Sequence, residues 1–475
     1  MRNLTIERTT VVILFVLLFA IATRVPADTD TWWHIRSGEY MLAQGMIHGD
    51  PFSHTKAGET WINHSWGAQL VLYATYSSLG NAGLALFQAV LAVGGLAVLY
   101  RAGTGNAYLR GLVLILGAAA ASVFWSARPQ MISFFGNCLI MLLIYDFKRG
   151  KDRLWLIPVL MLIWGNMHAG YSIGFIFLGA AIVGETLNIL TGNGSVAWSH
   201  IGKLVGITLI SGAVLLINPY GLDMLLVPFQ TVGIESLRAY IQEWNSPNFQ
   251  GRETWAFIGL VIAIIGAAWG SRLKFDWTGF FLLGGTLFLA LLYGRNIAVF
   301  AVAALPILMQ HLDNILTTRG WVLPTRTRSA PLQARLNALL IGVVAVGVFA
   351  YLVGVLSPKT ISDVQANILP VQAVAYLNAN PQSGRMFNSY NWGGYLMFAA
   401  PQYPVFIDGR TDLYGEFLDV YLDTALARAT WRETLADYAI GLVIVEKNSG
   451  LDIALRSEPD WRLIYEDELA VMHVR

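Results

Sequence analysis

The sequence predicts an α-helical polytopic membrane protein of about eleven spans with a small C-terminal α/β soluble domain, and three observations carry that prediction. The 475 residues are 55% hydrophobic and only 13% charged, whereas a soluble chain of this size carries about a quarter charged residues. The apolar residues come in blocks near the ~20 that cross a hydrocarbon core. Basic residues divide unevenly between alternate loops, as they do in membrane proteins. The formal net charge of +1 gives no reason to expect a nucleic-acid partner. The single cysteine, Cys138, lies in an apolar block without a partner, so no disulfide is expected.

Reading the blocks in order places spans near 9–25, 81–100, 111–127, 129–147, 154–167, 170–190, 204–217, 255–271, 277–293, 296–311 and 337–356. With the N-terminus in the cytoplasm, fifteen basic residues fall inside and seven outside, which predicts a cytoplasmic (inner) membrane protein with an extracytoplasmic C-terminal domain. Arg2 and Arg8, followed by an apolar run and Ala20-Ile21-Ala22, also fit a cleaved signal peptide, and the later spans keep their sides either way. The spans at 154–167 and 204–217 are short, as expected for helices surrounded by protein around an internal cavity. The chain thus divides into a transmembrane domain, 1–356, with outer loops 27–79 and 218–254, and an outer α/β domain, 357–475.

In the first outer loop, Trp32-Trp33-His34-Ile35-Arg36, Trp61, His64 and Trp66 suit one or two helices on the membrane interface, with turns at Asp50-Pro51 and Ala57-Gly58. In the tail, 371–378 has helical spacing, as does 417–438. Val405-Phe406-Ile407 and Leu442 to Val445 read as short buried strands, and Leu469 to Val474 alternates as a final one. The tail has no glycine-rich phosphate loop, no zinc ligand set and no nucleophile elbow.

Chemistry is expected on the outer side. Asp28 and Asp30 follow the first span directly, where two carboxylates can take a proton from an acceptor or hold a divalent cation; solvated helix capping is the plainer reading. Arg128, Arg295 and His168 fall at the outer ends of spans, where a lipid-linked phosphate needs cationic or N–H partners, although snorkelling to headgroups explains arginines there equally well. Glu235 and Glu243, in the second outer loop, are further acids for a metal, and Asp50 is an acid within the first.

The run Asp28-Thr29-Asp30-Thr31-Trp32-Trp33-His34-Ile35-Arg36, followed by Glu39-Tyr40-Met41-Leu42, resembles the first outer loop of oligosaccharyltransferase catalytic subunits. More widely it resembles the GT-C superfamily of glycosyltransferases, which includes protein O-mannosyltransferases and lipid A aminoarabinose transferases. Asn388 to Leu396, followed by Pro404 to Arg410, is similar to a tail motif of the same oligosaccharyltransferases, except that Trp392 stands where the motif has its aspartate. Sequon recognition is therefore not carried over, and a strand-to-helix turn using two glycines explains residues 391–394 as well.

The resemblance implies a hexosyl- or pentosyltransferase in which Asp30, supported by Asp28, acts as base toward a polyprenyl-phosphate sugar, with inversion. It implies a glycan, lipid or protein acceptor, with Asp50, Glu243, Trp392, Tyr395 and Asp408 as acceptor or loop residues, membrane lipids as surroundings, and Mg or Mn as the cofactor where a metal is used, with Asp28, Asp30 and Glu235 as its ligands. The turn Ala127-Arg128-Pro129 lacks the acids that metal-dependent relatives place there, a departure from the metal-dependent pattern. The rivals are an oligosaccharyltransferase or glycan ligase that moves a whole lipid-linked glycan, and a non-enzymatic transporter or envelope-assembly scaffold. Glu185, Asp146 and His311 lie toward span ends on this placement, which disfavours an ion-coupled transporter.

Overall fold

The computed structural model describes residues 4–193, 196–233, 242–321 and 328–475. Twelve of its α-helices and the soluble domain are needed to place the site. They run α1 (Ile6–Ala22), α2 (Thr31–Gln44), α3 (Trp66–Ala102), α4 (Ala107–Ala121), α5 (Gln130–Lys148), α6 (Leu156–Gly165), α7 (Tyr171–Leu190), α8 (Trp198–Val214), α9 (Asp223–Gly233), α10 (Trp255–Gly270), α11 (Trp277–Leu292) and α12 (Ile297–Thr318). A long apolar helix, α13 (Pro331–Val355), then leads to the tail.

Among the described residues, α3, α4, α5, α7, α10, α12 and α13 are long and apolar enough to cross a membrane. The other four expected spans fall on α1, α6, α8 and α11, which have 17, 10, 17 and 16 residues. At 1.5 Å per residue, α6 covers about half of a ~30 Å core. It buries Ile157, Met161 and Trp164 among its neighbours.

One boundary has a visible local cause. The helix α3 breaks at Gly80, whose φ of 59° and ψ of −150° end one helix and start another; its first half packs with α2, Leu72 sharing a core with Trp32 and Ile35, and its second packs on α5, Gly95 lying against Phe134 and Cys138. Turns expected on the same side come together: those after α1, between α4 and α5, between α6 and α7 and between α11 and α12 meet at one end. At the opposite end Lys148 bonds Glu185 at 2.6 Å and Asp276 at 3.0 Å, tying α5 to α7 and to the start of α11.

The tail contains α14 (Pro358–Ala366), α15 (Val371–Ala379), β1 (Arg385–Asn388), α16 (Tyr390–Ala399), α17 (Thr411–Tyr414), α18 (Phe417–Ala425), α19 (Trp431–Asp437), β2 (Ile440–Glu446), α20 (Gly450–Leu455), β3 (Arg462–Glu466) and β4 (Ala470–Val474). The strand order is β1-β2-β4-β3, with β1 parallel to β2 and the other pairs antiparallel. One face of the sheet packs Met386, Leu442, Ile444 and Met472 against α15 and α16, and the other packs Phe387, Val443, Val445 and Val471 against α18 to α20. Coverage on both faces is why β2 reads as an unbroken apolar run.

Several sequence expectations are corrected. Trp32 and Trp61 are each only 2% exposed, and Trp33 is also buried. These rings do not anchor an interface: Trp33, Met41, Ile47, Phe52 and Trp61 share one apolar core with the soluble domain. Val405 to Ile407 is not a sheet strand. Its backbone partners are taken by the outer loop, through Val405 N–H to Phe52 O at 3.1 Å and His54 N–H to Val405 O at 3.0 Å, and by the Asn388 side chain, which bonds Phe406 N and Ile407 O at 2.8 Å each. The helical stretch 417–438 divides into two helices with Ala427 at φ 51° between them. Strands β1 and β3 were not expected.

Candidate active site

Local sequence sets Asp30 in place. Pro26 follows the first helix, and the Asp28 carboxylate then accepts a bond from Asp30 N–H at 2.9 Å, a turn that aims the chain into α2. Asp30 stands at the N-cap of α2, yet its side chain makes no capping bond. That carboxylate is instead directed to Arg128, from the α4–α5 turn, at 2.9 Å. Arg128 also reaches Asp28 at 3.4 Å and Glu243 at 3.7 Å. Glu243 is shared: Arg295 approaches the same Oε1 at 3.8 Å while lying 4.6 Å over the Trp244 ring.

These groups line a cavity of about 1590 Å³. Its polar lining includes Asp28, Asp30, His34, His64, Arg128, His168, Glu243 and Arg295, and its apolar lining includes Phe124, Ile173, Phe175, Ile176, Leu225 and Phe229. The soluble domain closes part of it with Tyr390, Asn391, Gly409, Thr411 and Asp412. A cavity lined by apolar side chains together with a charged cluster suits an amphiphile with an ionic head.

Electrostatics divides the roles. Burial, opposed by Arg128 and reinforced by Asp28 and Glu243, pushes the Asp30 carboxyl up to about 7, where a general base is poised at neutral pH. Burial disfavours the charge on Arg128, but Asp28, Asp30 and Glu243 outweigh it and hold the guanidinium well above its ordinary value. Burial also works against Glu243, yet Arg128 and Arg295 keep it below the usual range and ionised. Burial, with the nearby cations, drives His34 and His168 well below the ordinary imidazole value, so both are neutral. Gly170 N–H donates to His168 Nδ1 at 3.0 Å, and Ser133 Oγ, itself bonded by Trp164 Nε1–H at 2.7 Å, sits 2.7 Å from the same nitrogen. With Nδ1 accepting, the His168 proton is on Nε2.

The site thus unites Asp28, Asp30, Arg128, His168, Glu243 and Arg295, while the other candidates lie elsewhere. Asp50 and Asp408 are both buried against Arg410, at 2.6 Å each, with Tyr414 O–H donating to Asp408 at 2.9 Å. Trp392 is buried in the soluble core with its N–H on Ile368 O at 3.1 Å, and Tyr395 packs 5.4 Å from the Trp32 ring. Neither lines the cavity. Glu235 lies outside the described residues. Sequence reasoning did not select His34, His64, Tyr390, Asn391 or Asp412; the first two were in view only as interface aromatics.

The glycines of the tail motif have a packing role. A Cβ on Gly394 would lie 2.8 Å from Thr29 O, and one on Gly409 would meet the Asp30 carboxylate itself. Both positions let the soluble domain close directly over the start of α2. Nor does the acidic cluster fit a divalent cation. The point where Asp28, Asp30 and Glu243 converge is filled by the Arg128 guanidinium, and among the described residues no group of three His, Cys, Asp or Glu is arranged to hold a metal.

Comparison with solved structures decides the fold. The chain aligns over 92% of its length with 69% of the archaeal oligosaccharyltransferase AglB from Archaeoglobus fulgidus, solved with an inhibitory peptide and a dolichol-phosphate, at 12% identity and a TM-score of 0.60. The chain has the GT-C fold. Over 98% of its length it also aligns with 97% of ArnT from Cupriavidus metallidurans bound to undecaprenyl phosphate, at 13% identity and a TM-score of 0.52. The mycobacterial arabinofuranosyltransferase AftD gives 12% identity and a TM-score of 0.53, covering 98% of this chain and 39% of that one. No family model and no curated protein matches the sequence. At these identities the GT-C likeness is one of architecture, and it extends across both the membrane helices and the small C-terminal sheet.

Proposed function

We propose that this protein is a membrane glycosyltransferase that moves a sugar from a polyprenyl-phosphate-linked donor to an acceptor on the outer face of the cytoplasmic membrane. The observation that carries the reading is Asp30: a carboxylate at a helix N-cap that caps nothing, raised to about 7, in the charged lining of a large cavity that also has apolar walls. The GT-C structures solved with dolichol-phosphate and undecaprenyl phosphate support the donor class. The acceptor O–H gives its proton to Asp30 as its oxygen attacks the anomeric carbon. The bond from that carbon to the phosphate oxygen breaks, and the electron pair leaves with the phosphate.

Arg295 and the Nε2–H of His168 are the groups suited to that phosphate. Arg295 has Glu243 alone as a carboxylate neighbour within ion-pair distance among the described residues, whereas Arg128 is engaged by three. The test is transfer from a mass-tagged polyprenyl-phosphate sugar by purified wild type and Asp30→Asn. Asparagine keeps the shape and loses the basicity, so turnover falls by a factor on the order of 10² to 10⁴. Near-normal turnover by Asp30→Asn removes the residue from the mechanism.

The volume supports a second reading, transfer of a whole lipid-linked glycan. About 1590 Å³ exceeds the roughly 300–1,000 Å³ typical of small-molecule sites. Competing a monosaccharide donor against an oligosaccharide donor on the same lipid separates the two. The proposed orientation is tested by reporters active only outside the cytoplasm: one fused after Leu356 should be active and one after Arg149 silent.

A further inference from the structure

Three carboxylates from two separate segments, Asp28 and Asp30 at the head of α2 and Glu243 beyond α9, converge on one side chain. A divalent cation bound by such a set would take oxygens at about 2.0–2.6 Å around a single point. That point is held by the Arg128 guanidinium, with Asp30 at 2.9 Å, Asp28 at 3.4 Å and Glu243 at 3.7 Å. Arg295 adds a second positive charge 3.8 Å from the same Glu243 Oε1. Three carboxylates against two guanidiniums leave one negative charge when Asp30 is ionised and none when it is protonated. Without the guanidiniums, the carboxylates would repel an incoming phosphate and one another.

We infer that Arg128, backed by Arg295, does in this site the electrostatic work of a divalent cation, so that the carboxylates become a metal site only when Arg128 is removed. The inference rests on the cluster being the catalytic centre proposed above, and it makes a distinct physical statement about cation binding. The guanidinium is covalently part of the chain, so chelators cannot strip it, and it keeps its charge at any working pH. It also offsets part of the cluster's negative charge while leaving Asp30 able to accept a proton.

The experiment titrates Mn²⁺ into purified wild type and Arg128→Gln and reads free Mn²⁺ by electron paramagnetic resonance, which needs no turnover. Wild type should take up no Mn²⁺ that Asp28→Asn abolishes. Arg128→Gln, with folding checked by its thermal melt, should gain about one site at roughly 0.1–1 mM, the strength of weak carboxylate sites. In parallel, transfer by wild type should persist in excess EDTA, and Arg128→Lys should recover part of the activity that Arg128→Gln loses. Stoichiometric Mn²⁺ binding by wild type that is lost in Asp28→Asn overturns the inference, as does a folded Arg128→Gln that binds none. If wild type transfers no sugar at all, the proposed function fails while the Mn²⁺ titration still decides this inference.

Discussion

Arg128 and Arg410 each gather acidic residues from distant parts of the chain, and the two clusters are built to different standards. Arg410 has no exposed side-chain surface and holds Asp50 and Asp408 at 2.6 Å, with a further bond from its Nε to Asp408 at 2.8 Å. The Asp50 carboxylate also accepts bonds from Phe52 N, Ser53 N and Ser53 Oγ. Arg128 is 17% exposed and Asp30 21%, and their cluster extends to contacts of 3.4 and 3.7 Å beside a cavity. A buried pair with its hydrogen-bonding atoms matched fixes structure, and it is expensive to break. A looser cluster facing a cavity leaves a carboxylate that can change its protonation, which is what catalysis requires.

Breaking the tight cluster should produce the largest effect on stability. Arg410→Ala leaves two buried carboxylates unpaired and should cost about 3–5 kcal/mol, read as a lowered thermal midpoint in detergent. Arg128→Gln, in a looser cluster that borders a cavity, should cost less stability than Arg410→Ala while abolishing most transfer. Equal losses of stability from the two variants would erase the distinction between the clusters.

A smaller effect comes from Gly409→Ala. The added methyl displaces the Asp30 carboxylate, so turnover should fall by roughly 10- to 100-fold, the scale of small misplacements of a reacting group, with the KM for donor little changed. An unaltered turnover number would show that the soluble domain does not set the position of Asp30.

The smallest effects are shifts in pH dependence. Asp28 and Glu243 hold the Asp30 carboxyl up, whereas Arg128 draws it down. Asp28→Asn and Glu243→Gln therefore move the acid limb of transfer to lower pH, and Arg128→Gln moves it to higher pH. Measuring kcat/KM against pH for all three checks the signs, and a shift of all three in one direction contradicts the assignment.

Much of the site was legible because topology does part of the work. Residues at span ends are constrained to one plane, so Asp28, Asp30, Arg128, His168 and Arg295 could be grouped before their contacts were known. The partnership of Arg410 with Asp50 was not legible, since 360 positions separate them. Trp32, Trp33 and Trp61 misled for a physical reason: aromatic rings suit a membrane interface and a domain core equally well, and only the closure of the soluble domain over α2 distinguishes the two. Strand β1 has four residues, too few to show a period, and the pairing of β3 with β4 is interrupted by an irregularity between Leu463 and Tyr465. Residues 391–394, open in the sequence to a tail-motif likeness or a strand-to-helix turn, lie inside helix α16, and the close neighbours of Gly393 and Gly394, Asp408 and Thr29, come from outside it.

The central claim is that Asp30, set near neutrality by burial and by the Arg128 cluster, is the base. The most direct measurement is the pH dependence of kcat/KM for transfer by wild type and by Asp30→Asn. The account predicts an acid limb in wild type with its midpoint near pH 7, because activity is lost as Asp30 takes up its proton, and a small residual activity without that limb in Asp30→Asn. A wild-type limb at the ordinary carboxylate value of about 4, or one that persists unchanged in Asp30→Asn, would contradict it.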